Sequence, residues 1–170
     1  MGYGDTIDRG DEANEMGDYL PFVNLGTGLL AKIISSLDSS SCAYLNDASV
    51  KCWGFNSEGQ LGREDTLLVG TQINQMGNYL SPIAFPSGET VKSLSSGHDH
   101  SGIITETGLL FMWGAAIKGQ LGDGQNFNDI GDSPNEMGNY LVAVKLGTGR
   151  IPLQVSGGKI HSVFNFHFIC

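Results

Sequence analysis

His98, Asp99 and His100 come nearest, of all residues in this 170-residue chain, to the types and spacing of a chemical site. Two histidines two positions apart share one face of a strand, and imidazoles so placed can hold a metal ion. Comparison within the chain argues for a structural role instead. Only the histidine that precedes serine recurs, as His161, whereas His98 aligns with Lys159 and with Asp38. Two acidic stretches, Asp5 to Asp18 and Asp123 to Asp132, are as dense in oxygen donors as calcium loops. Neither has the ordered spacing of an EF-hand, and the middle copy, Arg63 to Gln75, has lost most of its carboxylates, so solvated loops are expected. Cys42, Cys52 and Cys170 are too few and too irregular for a disulfide framework or a zinc site. No Gly-x-Ser-x-Gly, Walker or Rossmann pattern occurs. The chain is therefore read as having no catalytic residue, no cofactor and no metal site, and not as an enzyme.

What the residues do show is repetition. Asn14-Glu15-Met16-Gly17-Asp18-Tyr19-Leu20 returns as Asn74-Gln75-Met76-Gly77-Asn78-Tyr79-Leu80 and as Asn135-Glu136-Met137-Gly138-Asn139-Tyr140-Leu141, at spacings of 60 and 61. Trp53-Gly54 with Gly59-Gln60-Leu61-Gly62 returns as Trp113-Gly114 with Gly119-Gln120-Leu121-Gly122, again 60 apart. Two independent motifs share one period, which marks a repeat architecture. Within one unit, strand-like Leu29 to Ser35 leads through a serine-rich turn to Cys42-Ala43-Tyr44-Leu45, and a short turn leads to Val50-Lys51-Cys52-Trp53-Gly54. A fourth strand is expected near Tyr79 to Phe85.

Four short strands cornered by glycine make a sheet that cannot bury both faces alone, and radial stacking of several such sheets solves this. The predicted fold class is all-β: β-propeller blades, four-stranded antiparallel sheets, in an incomplete ring of about three blades. The chain reads as a single repeat region, 1-170, with units of approximately 1-54, 55-114 and 115-170. Trp53 and Trp113 are expected to pack between adjacent sheets, and the leucine of each Gly-Gln-Leu-Gly corner to plug inward.

Composition agrees. Glycine is 25 of 170, about twice the usual share, which suits many tight turns. With 18 acidic against 9 basic residues and a formal charge of -9, the chain lacks the basic stripe that direct nucleic-acid binding needs. No apolar run approaches a membrane span, and the start lacks a signal-peptide pattern, so a soluble, cytoplasmic protein with no membrane partner is expected. Met1-Gly2 followed by Thr6 fits the myristoylation pattern formally, but reads better as the middle of a repeat.

Trp-Gly, Gly-Gln-Leu-Gly and the Ser-Gly-x-x-His-Ser turn at Ser96 to Ser101 together resemble the repeat of the regulator of chromosome condensation family. The resemblance implies a seven-bladed propeller used as a binding platform. Some members act as guanine-nucleotide exchange factors on small Ras-like GTPases; others bind chromatin, ubiquitin-pathway proteins or cytoskeletal partners. The matching residues are those that build blades: Trp53, Gly54, Gly59, Gln60, Leu61, Gly62, His100, Trp113, Gly114, Gly119, Gln120, Leu121, Gly122 and His161. The function expected is a non-enzymatic protein-interaction module, with a guanine-nucleotide exchange factor or an inert gene fragment as alternatives. Its partners would be proteins, a small GTPase among the candidates.

Two structural expectations complete the reading. A three-residue turn at Asn46-Asp47-Ala48 places Cys42 opposite Cys52, close enough for a disulfide that a reducing cytosol would keep open. Fewer than three full repeats leave a sheet face uncovered at each end of the stack, so self-association is expected of the chain expressed alone.

Overall fold

The computed structural model describes residues 1–124 and 127–168. Among the described residues, eight strands form three antiparallel sheets. The first contains β1 (Ala31–Leu37), β2 (Ser40–Leu45) and β3 (Val50–Gly54); the second contains β4 (Val91–Ser96), β5 (His100–Thr105) and β6 (Leu110–Gly114); the third pairs β7 (Arg150–Gly157) with β8 (Ser162–Phe168). The strands arise where β-branched and aromatic residues run between glycine and serine corners. Asp47 shapes the β2–β3 turn, its Oδ1 accepting from the Ser49 N–H at 3.0 Å while Ala48 takes φ +68°. That turn sets the register, which pairs Cys42 with Cys52; the two are joined by a disulfide across a Cα separation of 4.1 Å. The second sheet has Gly102 and Met112 at this pair, and a Cβ at Gly102 would collide with Met112 Sδ.

Each first strand carries the same register irregularity near its start, between Ala31 and Ile33, Val91 and Ser93, and Pro152 and Gln154. The innermost strands β1, β4 and β7 neighbour one another in turn, so the sheets stand like blades about a shared inner edge.

The sheets differ from the expected four-stranded form. The fourth-strand position beside β3 is held by the extended segment 81–85, tied to the sheet by Ile83 N–H donating to Val50 O at 2.9 Å. Pro82 lies within it and Pro86 follows it, and neither has an N–H to donate. The corresponding bond in the next blade runs from Val144 N–H to Leu110 O at 2.8 Å.

The core lies between the blades. One cluster, including Leu45, Leu61, Leu94, Ile103 and Trp113, fills the space around the first and second sheets; a second, including Ile104, Leu110, Leu121, Val144 and Val155, joins the second to the third. Among the described residues no helix is long and apolar enough to cross a membrane.

Candidate interaction surface

Period-60 bonds lock each blade to the next. The Gly59–Gly62 corner folds on itself, Gly62 N–H donating to Gly59 O at 2.8 Å, with Leu61 fully buried as the plug; Gly119–Gly122 repeats this at 3.1 Å around Leu121. Gln60 and Gln120 turn their side-chain oxygens back onto the corner, accepting from Glu58 N–H and Lys118 N–H. Their main-chain oxygens face the following blade. Gln60 O accepts from Ser101 Oγ at 3.0 Å and from Trp113 Nε1 at 3.1 Å, and Gln120 O accepts from Ser162 Oγ at 2.7 Å. Glycine is required at position 62 because its φ is +65° and a Cβ there would meet the Trp113 indole. Gly54 and Gly114 are bound more tightly still, since a Cβ on either would strike the carbonyl of Ser39 or Asp99 in the adjoining hairpin turn.

His100 is buried within this joint, its Nε2 2.9 Å from Ser162 Oγ. The single Ser162 hydroxyl proton is directed to Gln120 O, so His100 carries its proton on Nε2 and donates it to Ser162. Burial pushes the His100 pKa below that of an ordinary histidine and keeps the ring neutral. His161, its counterpart on the third sheet, is exposed.

The inner edge is stitched by serines that the repeat comparison did not single out. Ser35 Oγ accepts from Ser96 N–H at 2.7 Å and Ser95 Oγ from Gly157 N–H at 3.0 Å. Both bonds were accessible to alignment at the 60-residue period, since Ser35, Ser95 and Ser156 fall in register.

Around this frame the loops at the hairpin-turn end gather carboxylates. Whereas His100 opens β5, His98 belongs to the turn before that strand. Its Nδ1 lies 2.6 Å from Asp99 Oδ2, and its Nε2 lies 3.5 Å from Asp38 Oδ2 in the neighbouring blade's turn. Gln60 Nε2 donates to Asp99 Oδ1 at 3.4 Å. Glu58 stands beside Asp129 and Asp99; burial first, and then these two carboxylates, raise its pKa. Asp129 also accepts from Ala116 N–H at 2.7 Å. Among the described residues, no three histidine, cysteine or carboxylate side chains form a group able to hold a metal ion. Gln125 and Asn126 of the second acidic stretch, and Cys170, lie outside the described residues.

Trp53 and Trp113 differ in what covers them. Trp113 is sealed between blades, with Phe85 edge-on at 5.5 Å, whereas Trp53 packs beneath Gly2 and lines an open groove with Phe22, Leu30 and Ile34.

Radially arranged antiparallel blades, joined by a repeated corner, define a β-propeller repeat protein. The family model for the regulator of chromosome condensation (RCC1) repeat matches residues 47–104. The chain is 32% identical over 107 residues to protein pim1 of Schizosaccharomyces pombe, covering 61% of this chain and 20% of that protein. It is 33% identical over 129 residues to the human probable E3 ubiquitin-protein ligase HERC6, covering 76% of this chain and 11% of that protein. The fold matches the crystal structure of Prp20p from Saccharomyces cerevisiae with a TM-score of 0.63 at 16% identity, over 93% of this chain and 37% of that one. Prp20p is described there with its binding properties to Gsp1p and histones. Residues 47–104 thus match the regulator of chromosome condensation repeat, and the chain spans a fifth or less of the length of these two curated relatives.

Proposed function

We propose that this chain is a non-enzymatic protein-interaction module, organised as one repeat region, whose binding end is the hairpin-turn end carrying Asp38, Glu58, Asp99 and Asp129. The observation that carries this reading is a division of labour. The residues that recur at the 60-residue period are largely buried in blade-to-blade bonds, while the carboxylates at this end recur poorly and stand at the surface of a rigid frame. Conserving a scaffold and varying its loops is how propellers acquire partners. A cluster of carboxylates on a chain of net charge -9 selects a basic protein surface and speeds encounter with it.

The histone binding named for Prp20p supports a basic protein partner, and its binding to Gsp1p supports the second reading, guanine-nucleotide exchange on a small Ras-like GTPase. The blade-building role of Trp53, His100, Trp113 and the two Gly-Gln-Leu-Gly corners, and a cytoplasmic setting, belong to the same proposal. The test is to titrate the chain against core histones and against a panel of small GTPases, at two salt concentrations, with Asp38→Lys/Asp99→Lys as control. Salt-sensitive binding to a basic partner that the charge reversal abolishes is the expected result. Binding to neither class, or binding unaffected by the reversal, overturns it, and accelerated nucleotide release would favour exchange.

A further inference from the structure

Arg63 and Ser81 occur together in one repeat and in neither of the other two. By alignment, Tyr3, Arg63 and Asp123 hold one repeat position, and Pro21, Ser81 and Val142 hold another. In the first copy these two positions touch, Tyr3 Oη donating to Pro21 O at 2.9 Å. A side chain at the Arg63 position therefore has the reach to meet the extended segment at the Ser81 position.

In the second copy Arg63 and Ser81 border one open cavity of about 250 Å³, together with Gly62, Glu64, Ile83 and Met137. It lies inside the stack. Met137 of the following repeat forms one wall, and the repeat that carries Ser81 is itself seated on the preceding one, Gly77 N–H donating to Asn24 O at 2.9 Å. The Arg63 guanidinium is loosely held: its ion pair with Asp65 is long, 3.5 Å from Nε to Oδ2, and the buried Nε donates no hydrogen bond. Glu64 is committed instead to the Met137 loop, its Oε1 accepting from Glu136 N–H at 2.9 Å and from Met137 N–H at 3.0 Å. Ser81 is exposed, precedes Pro82, and its hydroxyl has no hydrogen-bond partner among the described residues. It stands on an extended segment outside any strand, a conformation that a kinase cleft can take as substrate.

We propose that Ser81 is a phosphorylation site for a proline-directed serine kinase and that Arg63 receives the phosphate. The γ-phosphoryl group of a nucleoside triphosphate passes to Ser81 Oγ: the Oγ–P bond forms, the bond from Pγ to its bridging oxygen breaks, the nucleoside diphosphate leaves, and the hydroxyl proton goes to the base of the kinase. The phosphate then offers three acceptor oxygens to a planar guanidinium that matches them two at a time. This ties segment 81–85 to the Gly62–Glu64 corner, and through Glu64 to the Met137 loop. The other Ser-Pro pair, Ser133-Pro134, has the opposite surroundings. Asp132 precedes it and Ser133 N–H donates to Glu136 Oε2 at 3.0 Å, so a phosphate there meets carboxylates.

Treating the chain with a proline-directed kinase and ATP, mapping the product by mass spectrometry, and following it by thermal melts and phosphorus NMR tests this. Ser81 is expected to take up phosphate; Ser81→Ala should lose that uptake and Ser133→Ala should keep it. The phosphorylated chain should melt about 2 to 4 °C above the unmodified one. Its second phosphate pKa should fall below the usual value of about 6, because the neighbouring guanidinium favours the dianion. Both effects should vanish in phosphorylated Arg63→Gln, while Arg63→Lys, which keeps the charge and loses the planar fork, should keep part of the pKa shift; circular dichroism verifies that each variant folds. Ser81 left unmodified, a melt that the phosphate lowers or leaves unchanged, or a phosphate pKa equal in wild type and Arg63→Gln would each overturn the proposal.

Discussion

The first and second sheets have nearly the same strands but different neighbours. Ile34 of β1 and Leu94 of β4 occupy one repeat position, yet Ile34 is 76% exposed and Leu94 is 7% exposed. Trp53 and Trp113 follow the same pattern less extremely. Among the described residues, the second sheet has a blade on each side, while the first packs on a blade through the face that carries Ser35. Burial in a repeat stack is therefore a property of the joint between units and not of the unit, which is why stability in such proteins divides into unit terms and neighbour terms.

Substitutions at matched positions sharpen this contrast. The largest losses are expected at the tryptophans. Trp113→Ala should cost roughly 3 to 5 kcal/mol, removing a buried ring and its bond to Gln60 O, and Trp53→Ala clearly less, read as urea midpoints. Equal losses would show that the groove beside Trp53 is closed in solution.

Leucine and isoleucine come next. Leu94→Ala should lose about 2 to 4 kcal/mol and Ile34→Ala under about 0.5 kcal/mol, because only the former leaves a cavity. A comparable loss at Ile34 would mean that its face is covered, so the measurement belongs at low protein concentration.

Reduction of the Cys42–Cys52 disulfide acts on the first sheet alone, since the second has Gly102 and Met112 at that pair. Opening its short loop should lower stability by about 3 kcal/mol at most in the loop-entropy view. Thermal melts with and without reductant, alongside alkylation of the freed thiols, measure it; a melt indifferent to reductant would mean that the sheet is held by its ladder and packing alone.

The smallest effect concerns pH. His100 is neutral in the fold because burial lowers its pKa, but in the unfolded chain it takes a proton below about 6.5. The stability tied to its neutral form is present above that value and is lost as the pH falls from there toward the folded pKa. Unfolding midpoints should therefore drop between pH 7 and pH 5, and His100→Gln should flatten that slope. An unchanged slope would assign the acid sensitivity elsewhere.

Much of the frame was legible in the residues. The 60-residue period, the all-β class and the order of three strands per blade follow from motifs whose chemistry is local: glycine at forced positive φ, serine and asparagine in turns, alternating apolar residues in strands. The fourth-strand position near Tyr79 to Phe85 is filled as expected, by segment 81–85, but through the bond from Ile83 N–H to Val50 O rather than through a full ladder. The gathering of Asp38, Glu58, Asp99 and Asp129 was not legible at all, since it joins turns and corners up to 91 positions apart, from Asp38 to Asp129.

By itself, then, the sequence determined the unit, because hydrogen bonds within a hairpin and backbone preferences at glycine act over a few residues. Only the tertiary structure decided which copies of an identical motif are buried. Met76 and Met137 are anchors and Met16 is not, although the motif around all three is almost the same. The physical reason is that an apolar side chain leaves water only when another surface arrives to cover it, and that surface comes from a neighbouring blade.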